Sequence, residues 1–229
     1  MPAPVPKSPL PPLLLLLSVT TGLVDAISIL GLGKVFTANM TGNIVFLGFA
    51  AASTPGFEPA PYMVALLAFL LGAGVAGRLG KAHGDGPLGR WLTLAASVEA
   101  ALLWVASVVA IGFDPVHVDA RLLMIIALTA MAMGFRNATI RQLKVPDMTT
   151  TVLTLTLAGL AADSGLAGGS NPNWQRRIGS VLAIFMGAVL GALLVMRTGL
   201  SVPLAIAGAV VLFGTLACAR HPNSAGPLP

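Results

Sequence analysis

Two strongly apolar segments near the start of the chain are separated by a short polar stretch, Thr37-Ala38-Asn39-Met40-Thr41-Gly42-Asn43. The segment before this stretch runs from Leu10 to Gly33, and the segment after it begins with Ile44-Val45-Phe46-Leu47. About halfway along the chain a second polar stretch, Pro146-Asp147-Met148-Thr149-Thr150-Thr151, again leads directly into apolar residues. These two interruptions, set among long apolar segments, decide which fold the sequence predicts.

The composition indicates a membrane protein. Of the 229 residues, 56% are hydrophobic and 9% are charged, whereas about 25% of the residues in an ordinary soluble domain are charged. A soluble chain this apolar would expose larger apolar patches than a soluble monomer tolerates. We therefore expect an all-α bundle of transmembrane helices, with the lipid bilayer as the solvent for most side chains.

The net charge of +5 does not indicate a nucleic-acid partner. The 13 basic residues are scattered between apolar segments instead of lining one helical face, which is typical of topology signals in a membrane protein. The single cysteine, Cys218, excludes an intramolecular disulfide or a cysteine metal cluster. The three histidines are too dispersed for a metal set, and no nucleophile elbow, P-loop or dinucleotide motif is present. We therefore expect no enzyme activity, no metal and no cofactor.

Hydropathy and turn signals divide residues 10–220 into about six spans and two half-helices, forming one transmembrane domain. The predicted spans cover residues 10–33, 62–77, 91–112, 122–133, 178–196 and 200–219. The half-helices cover residues 44–52 and 148–162, and the first is too short to cross a hydrocarbon core of about 30 Å. Residues 1–9 are predicted to be a disordered cytoplasmic tail, and residues 221–229 a C-terminal tail.

Residues 10–112 and 119–220 carry an internal repeat, because Gly22-Leu23-Val24-Asp25-Ala26 matches Gly134-Phe135-Arg136-Asn137-Ala138. Two topologies are open: eight spans if both half-helices cross the membrane, or six if they enter and return on one side. Six spans place all basic residues except Lys34, Arg121 and Arg197 on one side, which the positive-inside rule favours. Three full spans per half then predict inverted repeats with both termini in the cytoplasm.

Inverted repeats with broken helices are typical of transporters, whose substrate site lies near the midplane between the repeats. The free backbone groups of a broken helix are tolerated in a membrane only beside protein or a polar cavity. A half-helix N-terminus carries partial positive charge, which suits an anionic or polar solute.

Ten residues are therefore candidates to line a solute site: Asp25, Asn39, Thr41, Asn43, Glu99, Arg136, Asn137, Asp147, Thr149 and Thr150. Asp25 and Glu99 are the acidic residues deepest within predicted spans, and a carboxylate in a membrane usually faces a cavity or a partner. The simpler interpretation of either acid is a structural ion pair with Arg136 or Arg141. A further hypothesis is that Arg136 neutralises Asp25 across the repeat interface. The polar residues of the breaks have a simpler interpretation as helix caps.

Four motifs resemble one family: Gly22-x-x-Asp25-Ala26, Met40-Thr41-Gly42-Asn43, Gly134-x-x-Asn137-Ala138, and Val145-Pro146-Asp147-x-Thr149-Thr150-Thr151. Together they resemble the YoaK-type family of bacterial integral membrane proteins, a domain of unknown function. The resemblance covers nearly the whole chain. It implies a multi-spanning protein of the bacterial inner membrane and leaves the activity open.

The function that this pattern favours is a small-solute transporter or channel-like permease. The alternative is a membrane-embedded interaction or regulatory subunit, in which the small residues Ala68, Gly72, Ala76 and Gly80 serve helix packing. The expected partners are the lipid bilayer and a small polar or anionic solute. The sequence leaves open the substrate, the coupling ion and whether the chain forms a homo-oligomer.

Overall fold

The structure, a computed structural model, describes residues 10–83, 86–113, 118–143, 153–171 and 173–221. These ranges form eight α-helices and a short 3₁₀ turn at Gly165–Ala167. The helices are α1 (Leu10–Gly31), α2 (Met40–Ala51), α3 (Pro59–Ala82), α4 (Leu88–Val109), α5 (Ala120–Gln142), α6 (Leu153–Ala162), α7 (Trp174–Thr198) and α8 (Ser201–Ala219). By length and composition, six of them (α1, α3, α4, α5, α7 and α8) can cross a membrane. The predicted all-helical class and six spans are confirmed.

The other two helices, α2 and α6, are the predicted half-helices. They contain 12 and 10 residues, and at about 1.5 Å per residue neither reaches across a hydrocarbon core of about 30 Å. Helix α2 begins at Met40, inside the polar stretch of residues 37–43 and four residues before the predicted start, and packs against α3. The second polar stretch, at 146–151, lies outside the described residues.

Two spans are longer than the sequence predicted. Helix α5 continues to Gln142 instead of ending near residue 133, and α3 continues to Ala82 instead of residue 77. Polar side chains do not end α5, because Arg136 binds Glu99, Asn137 donates to the Met133 carbonyl and Gln142 donates to the Ala76 carbonyl. Arg136 and Asn137 therefore lie within a spanning helix and not in a loop after it.

The largest helix contacts pair α3 with α5, α1 with α7 and α4 with α8, and smaller contacts join α4 to α5 and α1 to α8. Along α1 and α7 the residue numbers rise together, because Gly179 lies against Leu15 and Gly191 against Leu23. These two helices are therefore parallel.

Helices α4 and α8 are antiparallel. Trp104 Nε1 donates a hydrogen bond to the Ala205 carbonyl at 3.2 Å, and Ser107 Oγ donates to the Ser201 carbonyl at 2.8 Å. If α5 and α7 are the only helices between α4 and α8 that cross the membrane, α4 and α8 must run in opposite directions. If α6 also crossed the membrane, α4 and α8 would be parallel. Helices α1 and α7 are parallel, which requires an odd number of membrane crossings between them. Helices α3, α4 and α5 supply three crossings, so α2 does not cross the membrane. The helix directions fit six spans and not eight.

Glycines allow the closest helix approaches. A Cβ atom on Gly72 of α3 would overlap the Met131 carbonyl of α5, and a Cβ on Gly134 of α5 would overlap the Phe69 carbonyl of α3. The two backbones touch at this crossing, as the predicted small-residue stripe of α3 requires.

Helices α1 and α7 cross in the same reciprocal manner. A Cβ on Gly22 of α1 would overlap the Ile184 carbonyl, and a Cβ on Gly187 of α7 would overlap the Val19 carbonyl.

Candidate functional site

A buried ion pair joins α4 and α5 in the interior of the bundle. Arg136 Nε donates a hydrogen bond to Glu99 Oε1 at 2.6 Å, and Arg136 Nη2 also contacts that oxygen. The two residues are only 1% and 4% exposed. Removing either charge from water costs several kcal/mol, so each depends on the other. The interpretation of Glu99 as the ion-pair partner of Arg136 is confirmed.

The same arginine also binds α1. Its Nη1 donates to the Leu17 carbonyl at 3.2 Å and to Thr21 Oγ1 at 3.0 Å. Arg136 therefore directs its hydrogen bonds to α4 and α1. It makes no direct contact with Asp25 in the described part of the chain, but its charge acts on that carboxylate from a distance, so neutralisation of Asp25 by Arg136 stays a hypothesis. At the level of the guanidinium, α1 presents Thr21, and Asp25 lies one helical turn further along.

Asp25 faces the first polar break. Asn39 Nδ2 donates to Asp25 Oδ2 at 2.8 Å. The backbone of Ala38 also lies against this carboxylate. Asp25 Oδ1 is enclosed, with no hydrogen-bond donor in suitable geometry in the described part of the chain. Since Thr21 and Asp25 are four residues apart, they lie on one face of α1, and this face connects the ion pair to the polar break.

Asn43 holds the polar break together. Its side chain is fully buried; Phe36 N donates to Asn43 Oδ1 at 2.9 Å, and Asn43 Nδ2 donates back to the Phe36 carbonyl. Thr41 is exposed. Asn39 occupies the N-cap position of α2, but its side chain makes no capping hydrogen bond. Capping by the Asn39 side chain is therefore wrong, because its amide is engaged by Asp25.

Of the other predicted residues, Asn137 lies on α5, next to Arg136 in the chain. Asn137 is half-buried, and its Nδ2 donates to the Met133 carbonyl one turn earlier in α5 at 2.8 Å. The structure brings together Asp25 and Asn39, and separately Glu99 and Arg136. Asp147, Thr149 and Thr150 lie outside the described residues.

A narrow cavity of about 20 Å³ adjoins the ion pair. Besides Glu99 and Arg136, it is lined by the hydroxyl-bearing Thr139 and Thr215 and by apolar side chains of α1, α4 and α5. This space can hold about one water molecule. It does not hold a solute in this conformation.

The sequence reasoning missed Thr21, the group that links Arg136 to α1. The sequence did contain an indication of this role. Thr20 and Thr21 are polar residues within a strongly apolar span, and Thr21 precedes Asp25 by one helical turn. Such a residue attracts little notice alone, since a buried threonine often bonds its own helix. Thr21 Oγ1 does donate to the Leu17 carbonyl at 2.9 Å, besides accepting from Arg136.

Comparison with known proteins confirms the resemblance seen in the motifs. The model of a family described as a protein of unknown function (DUF1275) matches residues 13–217. The chain is 38% identical over 157 residues to the UPF0700 transmembrane protein YoaK of Bacillus subtilis (strain 168). That match covers 66% of this chain and 65% of the relative, so the chain spans just under two thirds of the relative's length. No solved structure matches the chain.

Proposed function

Since the chain belongs to the DUF1275 family of proteins of unknown function, a family of multi-span membrane proteins, we propose that it is a small-solute permease. The observation that carries the proposal is the polar face of α1. This face links the buried Arg136–Glu99 pair, through Thr21, to Asp25 at the polar break. The proposal assigns the chain no catalytic reaction and no cofactor.

These polar and charged groups are costly to place inside a membrane. Charged side chains inside a membrane are expensive, and in transporters they mark substrate or ion pathways. A buried ion pair is weak evidence for stability, because apolar replacements of similar volume are often as stable or more stable. A bundle that needed only to fold could therefore do without Glu99 and Arg136.

The proposal includes two inverted repeats, α1–α4 and α5–α8. Gly22 and Gly134 occupy the same place in the repeated motif, and each packs against a backbone carbonyl of the other half, Ile184 and Phe69 respectively. The correspondence supports duplication: α1 packs on α7 as α5 packs on α3. The antiparallel packing of α4 on α8 supports inversion, because these helices are equivalent in the two repeats.

The orientation follows from the charges. Arg78 and Arg141 lie near the ends of α3 and α5, Arg90 lies near the start of α4, and Arg220 directly follows α8. These four positions share one end of the bundle. The positive-inside rule assigns this end to the cytoplasm. Under this proposal the chain resides in the bacterial inner membrane with both termini in the cytoplasm.

The described conformation is an occluded one in this mechanism. The space of about 20 Å³ beside the ion pair is too small for a solute. Passage requires α5 to move relative to α1 and α4, which would break and remake the contacts of Arg136 with Glu99 and Thr21. Movement of one repeat against the other is how alternating access proceeds in such folds.

A flux assay tests the proposal. The protein is reconstituted in liposomes, and swelling or uptake is measured with glycerol, urea, glycine, acetate and lactate. We expect flux of at least one of these solutes, reduced tenfold or more by Asp25→Asn. The matched control is Glu58→Gln, which removes an exposed carboxylate whose side chain makes no capping bond, and it should retain the wild-type flux.

Absence of flux for every solute, in vesicles whose protein is folded by size-exclusion and thermal-melt criteria, would contradict the proposal. It would favour the second candidate, a membrane-embedded interaction or regulatory subunit. The observation that favours this candidate is the water-sized space beside the ion pair.

A further inference from the structure

An open groove separates the first turns of α4 from the last turns of α8. Its volume is about 790 Å³. Arg90 and Arg220 lie at its mouth, Thr93 lies one turn deeper on α4, and Leu94 and Leu216 form apolar walls. The residues that line the groove are far along the chain from Asp25 and from the first polar stretch. None of them lines the cavity beside Glu99 and Arg136.

The mouth of the groove carries two cations. Arg90 and Arg220 are both exposed, and neither has an acidic partner within 4.0 Å in the described ranges. Two guanidinium groups at one opening repel each other, and an anion between them would relieve that repulsion. The N-terminus of α4 and the C-terminus of α8 carry opposite partial charges at this end, so the two arginines supply the positive charge.

The groove is also amphipathic along its depth. From Arg90 at the mouth to Ser97, the deepest lining residue on α4, the helix rises about 10 Å at about 1.5 Å per residue. The charged groups lie at the helix ends, where α4 and α8 meet the membrane surface, and the leucines lie deeper, toward the hydrocarbon core. An occupant that fits has an anionic head at the surface and an apolar part below it.

We propose that the groove between α4 and α8 binds an anionic glycerophospholipid, with its phosphodiester held by Arg90 and Arg220 and the start of an acyl chain against Leu94 and Leu216. Basic pockets between transmembrane helices are recognised sites for anionic lipid headgroups. Arginine suits a phosphodiester because its planar fork donates two parallel hydrogen bonds. This inference does not depend on transport by the chain.

The test measures lipid binding to the delipidated full-length protein by native mass spectrometry. Phosphatidylglycerol, phosphatidylcholine and inorganic phosphate are the probes. The test variant is the double substitution Arg90→Gln/Arg220→Gln. The matched control is Arg78→Gln/Arg141→Gln, which removes the same charge from exposed residues at the same end of the bundle but outside the groove.

We expect phosphatidylglycerol to bind the wild-type chain at least tenfold more tightly than phosphatidylcholine. The groove variant should lose this preference, and the control should keep it. Equal loss in both variants would show that diffuse positive charge attracts the lipid and would overturn the proposal. Binding without preference between the two lipids, or binding of inorganic phosphate as tight as that of the lipid, would overturn it as well.

Discussion

Arg136 of α5 lies 2.6 Å, measured from Nε to Oε1, from Glu99 of α4, and the same guanidinium reaches Thr21 of α1. One buried side chain therefore ties three spanning helices together. The arrangement couples the positions of α1, α4 and α5, so its removal should affect both folding and any movement between the two halves of the chain.

Loss of one partner of this pair should destabilise the protein strongly. Arg136→Met leaves the Glu99 carboxylate buried and uncompensated, and breaking such a pair costs about 3–5 kcal/mol. We expect a large drop in the thermal midpoint of the detergent-solubilised protein. The double variant Glu99→Leu/Arg136→Met buries no charge and should recover most of the lost stability. The single variants Arg136→Met and Glu99→Leu are measured as well. If the loss of stability in the double variant equalled the sum of the losses in the two single variants, the residues would not be energetically coupled.

The crossing of α3 and α5 should not tolerate a methyl group. Gly72→Ala places a Cβ atom onto the Met131 carbonyl, and because backbone must shift to admit it, we expect a loss of about 1–3 kcal/mol. Gly74→Ala is the matched control on the same helix, since nothing lies within 4 Å of its added Cβ. Thermal unfolding of both variants is the measurement. Equal midpoints for the two variants would contradict the close crossing.

Two residues of the polar break, Thr41 and Asn43, should differ sharply on substitution. Asn43→Ala removes both hydrogen bonds to the Phe36 backbone and leaves buried polar groups unsatisfied, at a cost of about 1–3 kcal/mol. Thr41→Ala changes an exposed side chain and should stay within about 0.5 kcal/mol of the wild type. Thermal unfolding again provides the comparison. If Thr41→Ala were the more damaging change, the assignment of Asn43 as the residue that holds the break would be wrong.

The spans and the first half-helix were predictable because lipid imposes a length and a composition on any segment that crosses it. The end of α5 was not predictable in this way. Because Arg136 and Asn137 reduce the local hydropathy, the sequence predicted that the span ends near residue 133. The helix instead continues to Gln142. The cost of the arginine is offset by Glu99 on another helix, and the sequence left open whether Glu99 pairs with Arg136 or Arg141.

The partners of the candidate residues depend on helix packing for the same reason. Asp25, Glu99 and Arg136 were all found from the sequence as charges in or near spans, but only the arrangement of the helices in the bundle decides that Thr21 of α1 meets the arginine of α5. The groove between α4 and α8 is a stronger case. Arg90 and Arg220 are far apart in the chain and come together only because their helices are antiparallel neighbours.

The loops before α3 and before α7 should lie on opposite sides of the membrane, because three spans (α3, α4 and α5) separate them if α6 does not cross. Cysteines introduced at the exposed Ser53 and Ser170 in a Cys218→Ser background test this with a membrane-impermeant maleimide. We expect Ser53→Cys to react in intact cells and Ser170→Cys only after permeabilisation. Glu58→Cys, in the same loop as Ser53, is the control and should react from outside. Labelling of Ser53→Cys and Ser170→Cys from one side would require a fourth crossing between them, which would make the two halves parallel and exclude the inverted arrangement.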